Sequence, residues 1–220
     1  MKRNPLVPKY ACVPLWTVLA LNMLVYSGTQ LLTAGWQHHD LSLPLDARIP
    51  FCPAFISIYL LAYVHWVVGY VMAARYSRDL CYRMVSADIV AKLICMVWFL
   101  AFPTTAQRPE ITGGGFWNWV VSFIYRVDAP ANLFPSVHCL ESWMCCRAAL
   151  RMKKASPWYR AGMTVFALLV FASTLLVKQH VIVDVAGGIV IAEIGLLAAR
   201  IFKLERIFER LDAALSRGKQ

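Results

Sequence analysis

Residues 181–202 read VIVDVAGGIVIAEIGLLAARIF and follow directly on Lys178-Gln179-His180. The stretch is apolar apart from Asp184, Glu193 and Arg200, and it is long enough to cross the ~30 Å hydrocarbon layer of a bilayer, which takes roughly 20 residues. At its entrance stand a histidine and, four residues later, an aspartate. Ionisable groups are expensive inside a bilayer, so their presence there signals function by default. A second histidine, His138 in Phe134-Pro135-Ser136-Val137-His138, opens another apolar segment. Two such histidines, each beside further polar groups, read as a catalytic site.

Five more apolar stretches precede the last one: about Val13 to Thr33, Pro53 to Ala74, Ala87 to Pro103, Pro135 to Leu150 and Trp158 to Val177. The fourth of these is short and carries His138 and Glu141. The pattern predicts an all-α fold, an integral membrane bundle of six transmembrane helices in a single domain over residues 1–220. Composition agrees, with 60% hydrophobic and only 15% charged residues and a mean hydropathy of +0.57; soluble domains carry about 25% charged residues. Leu32-Thr33-Ala34 is weakly like a signal-cleavage site. The apolar run before it is longer than a signal peptide's core, so a retained first span is expected.

Six spans put 17 of the 22 basic residues on one side. They are Lys2, Arg3 and Lys9; Arg75, Arg78 and Arg83; Arg147, Arg151, Lys153, Lys154 and Arg160; and Arg200, Lys203, Arg206, Arg210, Arg217 and Lys219. The positive-inside rule makes that side cytoplasmic, with both termini on it, in the plasma (inner) membrane. The net charge of +10 then reflects topology and contact with anionic lipid, not nucleic-acid binding. The opposite, extracytoplasmic face receives Arg108 after span three, His138 at the start of span four, and Lys178, His180 and Asp184 between spans five and six. Segments far apart in sequence converge there.

His180 and Asp184 are four residues apart and share a face if helical. A carboxylate that accepts the Nδ1 proton fixes the tautomer and leaves Nε2 free as nucleophile or base. Taken singly, the pair also fits a structural hydrogen bond, and His138 fits a buried, satisfied histidine. Two histidines with two cations suit phosphoryl transfer: one attacks, one protonates the leaving oxygen, and the cations stabilise the equatorial oxygens.

At these residues the chain resembles the type 2 phosphatidic acid phosphatase superfamily of lipid phosphate phosphatases. Pro135-Ser136-Val137-His138 is similar to its Pro-Ser-x-His motif, His180-x-x-x-Asp184 to its third motif, and Arg108-Pro109 to the end of its first. The resemblance implies that His180 forms a phosphohistidine and is oriented by Asp184. It implies that His138 is the general acid, and that Arg108 and Ser136, with the Ser136 backbone N–H, bind phosphate. It implies no metal and no other cofactor. The partner it implies is a lipid phosphate taken laterally from the outer leaflet; oligomeric state is left open.

The chain departs from that pattern at two cationic positions. The family's first motif has a lysine seven residues before its arginine, where this chain has Ala101. Its third motif has Ser-Arg, where this chain has Ser173-Thr174. Lys178, four residues after Thr174 and on the same face if helix five continues, is the expected replacement; the alternative is an interfacial lysine whose ammonium reaches the membrane surface. Phe102-Pro103-Thr104-Thr105 and Asp128-x-Pro130-x-Asn132-x-Phe134-Pro135-Ser136 resemble the inositol phosphorylceramide and sphingomyelin synthase-like branch, in which a lipid hydroxyl takes the place of water. Hydrolysis is the first expectation and head-group transfer the second. A proton-coupled transporter with paired histidines is the non-enzymatic alternative, and a haem protein with the two as axial ligands is another.

Glu141 and Thr105 are candidates to support the site, Glu141 either by orienting His138 or by facing another helix. Glu193 is expected to make an interhelical hydrogen bond, and Asp88 and Lys92 a neutralised pair near the cytoplasmic side. His38-His39-Asp40 reads as solvated loop. Gly113-Gly114-Gly115 predicts a mobile flap, and Trp117, Trp119 and Tyr125 an interfacial aromatic belt. Residues 203–217, with Leu204, Ile207, Phe208, Leu211 and Leu215 at helical spacing, predict an amphipathic helix on the cytoplasmic membrane surface. The seven cysteines hold no Cys-x-x-Cys pair, so they read as packing residues and zinc is not expected.

Overall fold

A chain in lipid must pair its backbone polar groups internally, and each long apolar run here does so as helix. The computed structural model describes residues 5–217. Lys2, Arg3 and Lys219, counted among the basic residues, lie outside the described residues, as do the side chains of Leu215 and Arg217. Helix α1 (Lys9–Met23) passes through a π-helical segment, Leu24–Gly28, into α2 (Thr29–Thr33). Then come α3 (Ile56–Tyr76), α4 (Arg78–Ala101), α5 (Phe116–Val127), α6 (Val137–Arg151), α7 (Pro157–Leu176), α8 (Ile182–Phe202) and α9 (Glu205–Arg217). Two-residue strands β1 (His39–Asp40) and β2 (Thr104–Thr105) pair in parallel.

Five helical runs are long and apolar enough to cross a membrane: Lys9–Thr33, Pro53–Tyr76, Arg78–Ala101, Pro157–Leu176 and Ile182–Phe202. Their outward side chains, among them Trp16, Leu31, Val67, Val97, Leu168, Val190 and Ile201, stay exposed, which makes an apolar belt. The protein is therefore a helical, multi-pass membrane protein. The remaining expected span, the fourth (α6), has 15 residues, short of the roughly 20 that a crossing takes.

The third span begins at Arg78, not near Ala87. Ser77 caps it by accepting the Leu80 N–H at 3.1 Å, and its charged first turns are held by ion pairs. Arg83 reaches Asp79 at 2.8 Å and Glu205 at 3.4 Å, and Arg78 reaches Asp212 at 2.8 Å. These last contacts fix α9 against α4. Phe208 is buried with Ala11, Val18, Ala74 and Tyr82, while Ile207 and Leu211 remain exposed. The expected surface helix is thus docked on the bundle by one edge of its apolar face.

α6 lies at the centre, packed by α3, α7, α8 and α4. Glycines set the close approaches, as is usual where helices pack in lipid. A Cβ on Gly195 would collide with the Ala87 carbonyl, and one on Gly69 with the Cys145 side chain. At mid-bundle, Lys92 lies between Asp88, at 2.9 Å, and Glu141, and the Tyr70 hydroxyl donates to Glu141 at 2.8 Å. All three charged groups are buried. The expected pair near one membrane face is instead a three-charge cluster in the core.

Candidate active site

The first turn of α8 is organised by its aspartate. Asp184 Oδ2 accepts the Val181 N–H at 3.0 Å and lies 3.2 Å from His180 Nδ1, so one carboxylate oxygen both caps the helix and orients the ring. Asp46, from a 3₁₀ turn in the first long loop, adds a second cap by accepting the Ile182 N–H at 2.8 Å. Just upstream, α7 ends at Leu176. The Gln179 and His180 N–H groups both donate to the Thr174 carbonyl, at 3.0 and 3.1 Å. Lys178 takes a left-handed conformation, φ 53°.

The second histidine arrives on the first turn of α6. The Ser136 hydroxyl caps that helix by accepting the Cys139 N–H at 3.4 Å, which leaves its own O–H free to donate. The Ser136 backbone N–H is already used: it donates to the Asp184 carbonyl at 3.0 Å. This bond staples the two histidine-bearing segments together. Gly188 makes the approach possible, because a Cβ there would strike the Ser136 carbonyl and crowd Cys139 and Leu140; Gly187 likewise makes room for the Phe134 ring. The His138 and His180 ring centroids lie 6.3 Å apart. Three rings of α3 surround His138: Tyr59 stacked at 4.1 Å, Trp66 at 5.0 Å and Tyr63 at 5.6 Å. His138 Nε2 is buried with no partner, as is Asp184 Oδ1.

Arg108 completes the group from the loop after β2. Its Nη1 donates to the Asp128 carbonyl at 2.6 Å and the Tyr125 carbonyl at 3.4 Å, and its Nη2 to Gln179 Oε1. The guanidinium lies 4.6 Å over the Tyr125 ring. Burial pulls Arg108 below its ordinary value, and burial also pushes the Tyr125 phenol up to about 12. Arg108 Nε has no partner. With Gln179 Nε2, four buried polar atoms without a partner gather at this end of the bundle.

A cleft of about 480 Å³ at this end is lined by Arg108, Lys178 and His180 with Asp40, Ser42 and Gln107 among others. Ser136, His138 and Asp184 lie buried beside it. The residues expected to act together are therefore gathered at one end of the bundle. Lys178 differs in its details from the expectation. Helix α7 stops short of it, so it shares no helical face with Thr174, and its ammonium donates to the Asp46 and Ile49 carbonyls at 2.9 and 2.6 Å.

Glu141 binds Lys92 and Tyr70 and does not orient His138. Thr105 donates to the Pro130 carbonyl at 2.6 Å; with Thr104 Oγ1, which accepts the Phe134 N–H at 2.7 Å, it anchors the loop that leads to Ser136. Glu193 bridges helices as expected, accepting from Trp143 at 2.7 Å and pairing with Arg147 at 3.1 Å. His39 and Asp40 are exposed, as expected of a solvated segment, but pair as β1 and not as loop; His39 stacks on Phe102 at 4.2 Å and Asp40 lines the cleft.

The roles of Asp46 and Gln179 were not expected. Tyr125, expected in the interfacial aromatic belt, instead turns inward, with its hydroxyl on the Val177 carbonyl and its ring under Arg108. Asp128, quoted only within the motif before Ser136, holds Arg108 by its carbonyl. Asp46 alone among these carried no local signal in the sequence. No group of three or more His, Cys, Asp or Glu side chains able to hold a metal occurs among the described residues. Comparison with known proteins found no matching family model, no matching curated protein and no matching solved structure.

Proposed function

We propose that the protein is a membrane lipid phosphatase, similar to the type 2 phosphatidic acid phosphatases, that works through a phosphohistidine at His180. The observation that carries this reading is the buried, unpartnered Nε2 of His138 beside a His180 whose Nδ1 is held by Asp184. Held in that way, His180 presents Nε2 as the nucleophile. It attacks phosphorus, the bond to the lipid oxygen breaks, and His138 gives that oxygen its proton. Water then attacks phosphorus, giving its proton to His138 as the P–N bond to His180 breaks; inorganic phosphate leaves and both imidazoles return to their starting state. Arg108 and the Ser136 hydroxyl stabilise the phosphoryl oxygens.

The site belongs on the extracytoplasmic face, because the basic residues of the described chain concentrate at the other end of the bundle. In this topology α6 also crosses, as the fourth of six spans. Its shortness is tolerated because the irregular segment ahead of it is covered by protein and not by lipid. The substrate is a phosphomonoester or diphosphate lipid.

Head-group transfer to a lipid hydroxyl is the second reading, and one observation favours it. The cleft is far larger than a phosphate and carries Asp40, Ser42 and Gln107 beside His180, which suits a polar head group. Incubating purified protein with radiolabelled lipid phosphates in the presence of chelator decides between them. Inorganic phosphate and an acid-labile phosphoprotein, both lost in His180→Ala, are the expected result. A new phosphodiester lipid assigns transfer instead. A protein that takes up no label and turns over neither substrate class overturns both readings and leaves the transporter.

A further inference from the structure

The geometry points to α5 as a lipid-seated helix, one that lies in the membrane interface at the cleft end of the bundle and so fixes the wall that holds Arg108. Its 12 residues make about 18 Å of helix, too little to cross a bilayer. At helical spacing eleven of them sort into three consecutive arcs; the twelfth, Trp117, falls within the bundle-facing arc but is 41% exposed and packs edge-on against Phe116. Val120, Val121, Ile124 and Tyr125 face the bundle: Val121 is fully buried among Ile56, Tyr59 and Val177, and the Tyr125 hydroxyl donates to the Val177 carbonyl at 2.7 Å. Asn118, Ser122 and Arg126 form a polar arc. Phe116, Trp119, Phe123 and Val127 form the third, which is wholly apolar and 65, 61, 47 and 63% exposed.

The rings of that third arc run as a continuous strip, with centroids 6.4 Å apart from Phe116 to Trp119 and 6.3 Å from Trp119 to Phe123. The occupant that fits it is the headgroup–acyl boundary of the leaflet. The contacts of Val121 and Tyr125 are with the cleft ends of α3 and α7, both in runs long and apolar enough to span, so α5 is continuous with the apolar belt at the level where that belt stops. Around its axis the order is bundle, then polar arc, then aromatic arc. A helix lying in plane against a bundle can then meet water with the polar arc and lipid with the aromatic arc, and aromatic side chains favour that zone.

The seat of α5 reaches the cleft through its last turn. The Tyr125 ring and carbonyl and the Asp128 carbonyl hold Arg108. Lifting the aromatic arc out of lipid would therefore move the arginine; this second half rests on the phosphate-binding reading above.

Spin labels test the seat without any assay of activity. Among the described cysteines Cys12 is exposed and Cys52 half-buried, the rest being buried, so Cys12→Ser/Cys52→Ser supplies the background. Labels at Trp119→Cys and Phe123→Cys, in protein reconstituted into vesicles of phosphatidylcholine and phosphatidylglycerol, are expected to relax with oxygen and to be shielded from a water-soluble nickel chelate. Labels at Ser122→Cys and Arg126→Cys are expected to do the reverse. Equal access of the nickel chelate to all four overturns the seat, and so does dipolar broadening between copies at Trp119→Cys, which would make the strip an interface between two chains. For the coupling, Trp119→Asp/Phe123→Asp is expected to weaken orthovanadate binding about tenfold; an unchanged affinity with the helix lifted overturns it. If wild type binds no vanadate, the phosphatase reading fails while the depth result stands.

Discussion

The bundle encloses two polar clusters that differ in how completely they are paired. At mid-bundle, Lys92 is held between Asp88 and Glu141, and Tyr70 closes the far side of Glu141; one oxygen, Asp88 Oδ2, is left over. At the cleft end, His138 Nε2, Asp184 Oδ1 and Arg108 Nε all lack partners, while every residue carrying them is fixed by another contact. The first cluster is a fastening between α3, α4 and α6. The second is held by its surroundings but incompletely paired, which is the arrangement the proposed function uses. Ionisable groups within a membrane bundle thus divide by their unfilled valences more than by their burial.

That contrast breaks if catalytic and structural losses fall in the wrong cluster. The largest effect is expected from His180→Ala: lipid phosphate turnover falls by about 10⁴-fold or more, measured as phosphate release, with the thermal midpoint in detergent unchanged. A comparable loss of thermal stability would move His180 into the fastening class. Lys92→Met should do the opposite. It leaves two buried carboxylates facing each other and costs about 3–5 kcal/mol of stability, read by thermal denaturation, and adding Asp88→Asn and Glu141→Gln should recover most of it. If Lys92→Met folds normally but is inactive, the mid-bundle cluster belongs to the chemistry.

Gly188→Ala sharpens the comparison at the joint between α6 and α8. The new methyl meets the Ser136 carbonyl, so we expect about 1–3 kcal/mol of destabilisation together with a fall in turnover, because the same displacement separates His138 from His180. A loss of stability with turnover intact would mean that the spacing of the two rings is not critical. Lys178→Met should have the smallest effect, a change in vanadate affinity well below that of Arg108→Met, since its ammonium is spent on the Asp46 and Ile49 carbonyls. Equal losses in the two variants would restore Lys178 to the phosphate.

The helical membrane class and the His180–Asp184 pair were legible because both are local. Hydropathy over about 20 residues and a four-residue spacing are properties of the chain itself. α5 was legible only in its aromatic residues, since a 12-residue helix after three glycines gives a weak periodic signal. Lys178 lines the cleft as expected but shares no helical face with Thr174, because α7 ends at Leu176 and the chain turns left-handed at Lys178, where Gln179 and His180 both donate to the Thr174 carbonyl. Asp46, more than 130 residues from Ile182 in the chain, offers no local trace of its capping role.

The amino-acid sequence by itself determined the membrane class, the helical runs and the presence of two histidines with a carboxylate one turn from the second. Only the tertiary structure decided which polar groups meet: that Glu141 turns to Lys92 and away from His138, that the Ser136 N–H is committed to Asp184, and that Arg108 is held by α5. Periodicity fixes which side chains share a face of a helix. Which faces then touch depends on close approaches such as that at Gly188, and these exist only once the helices have packed.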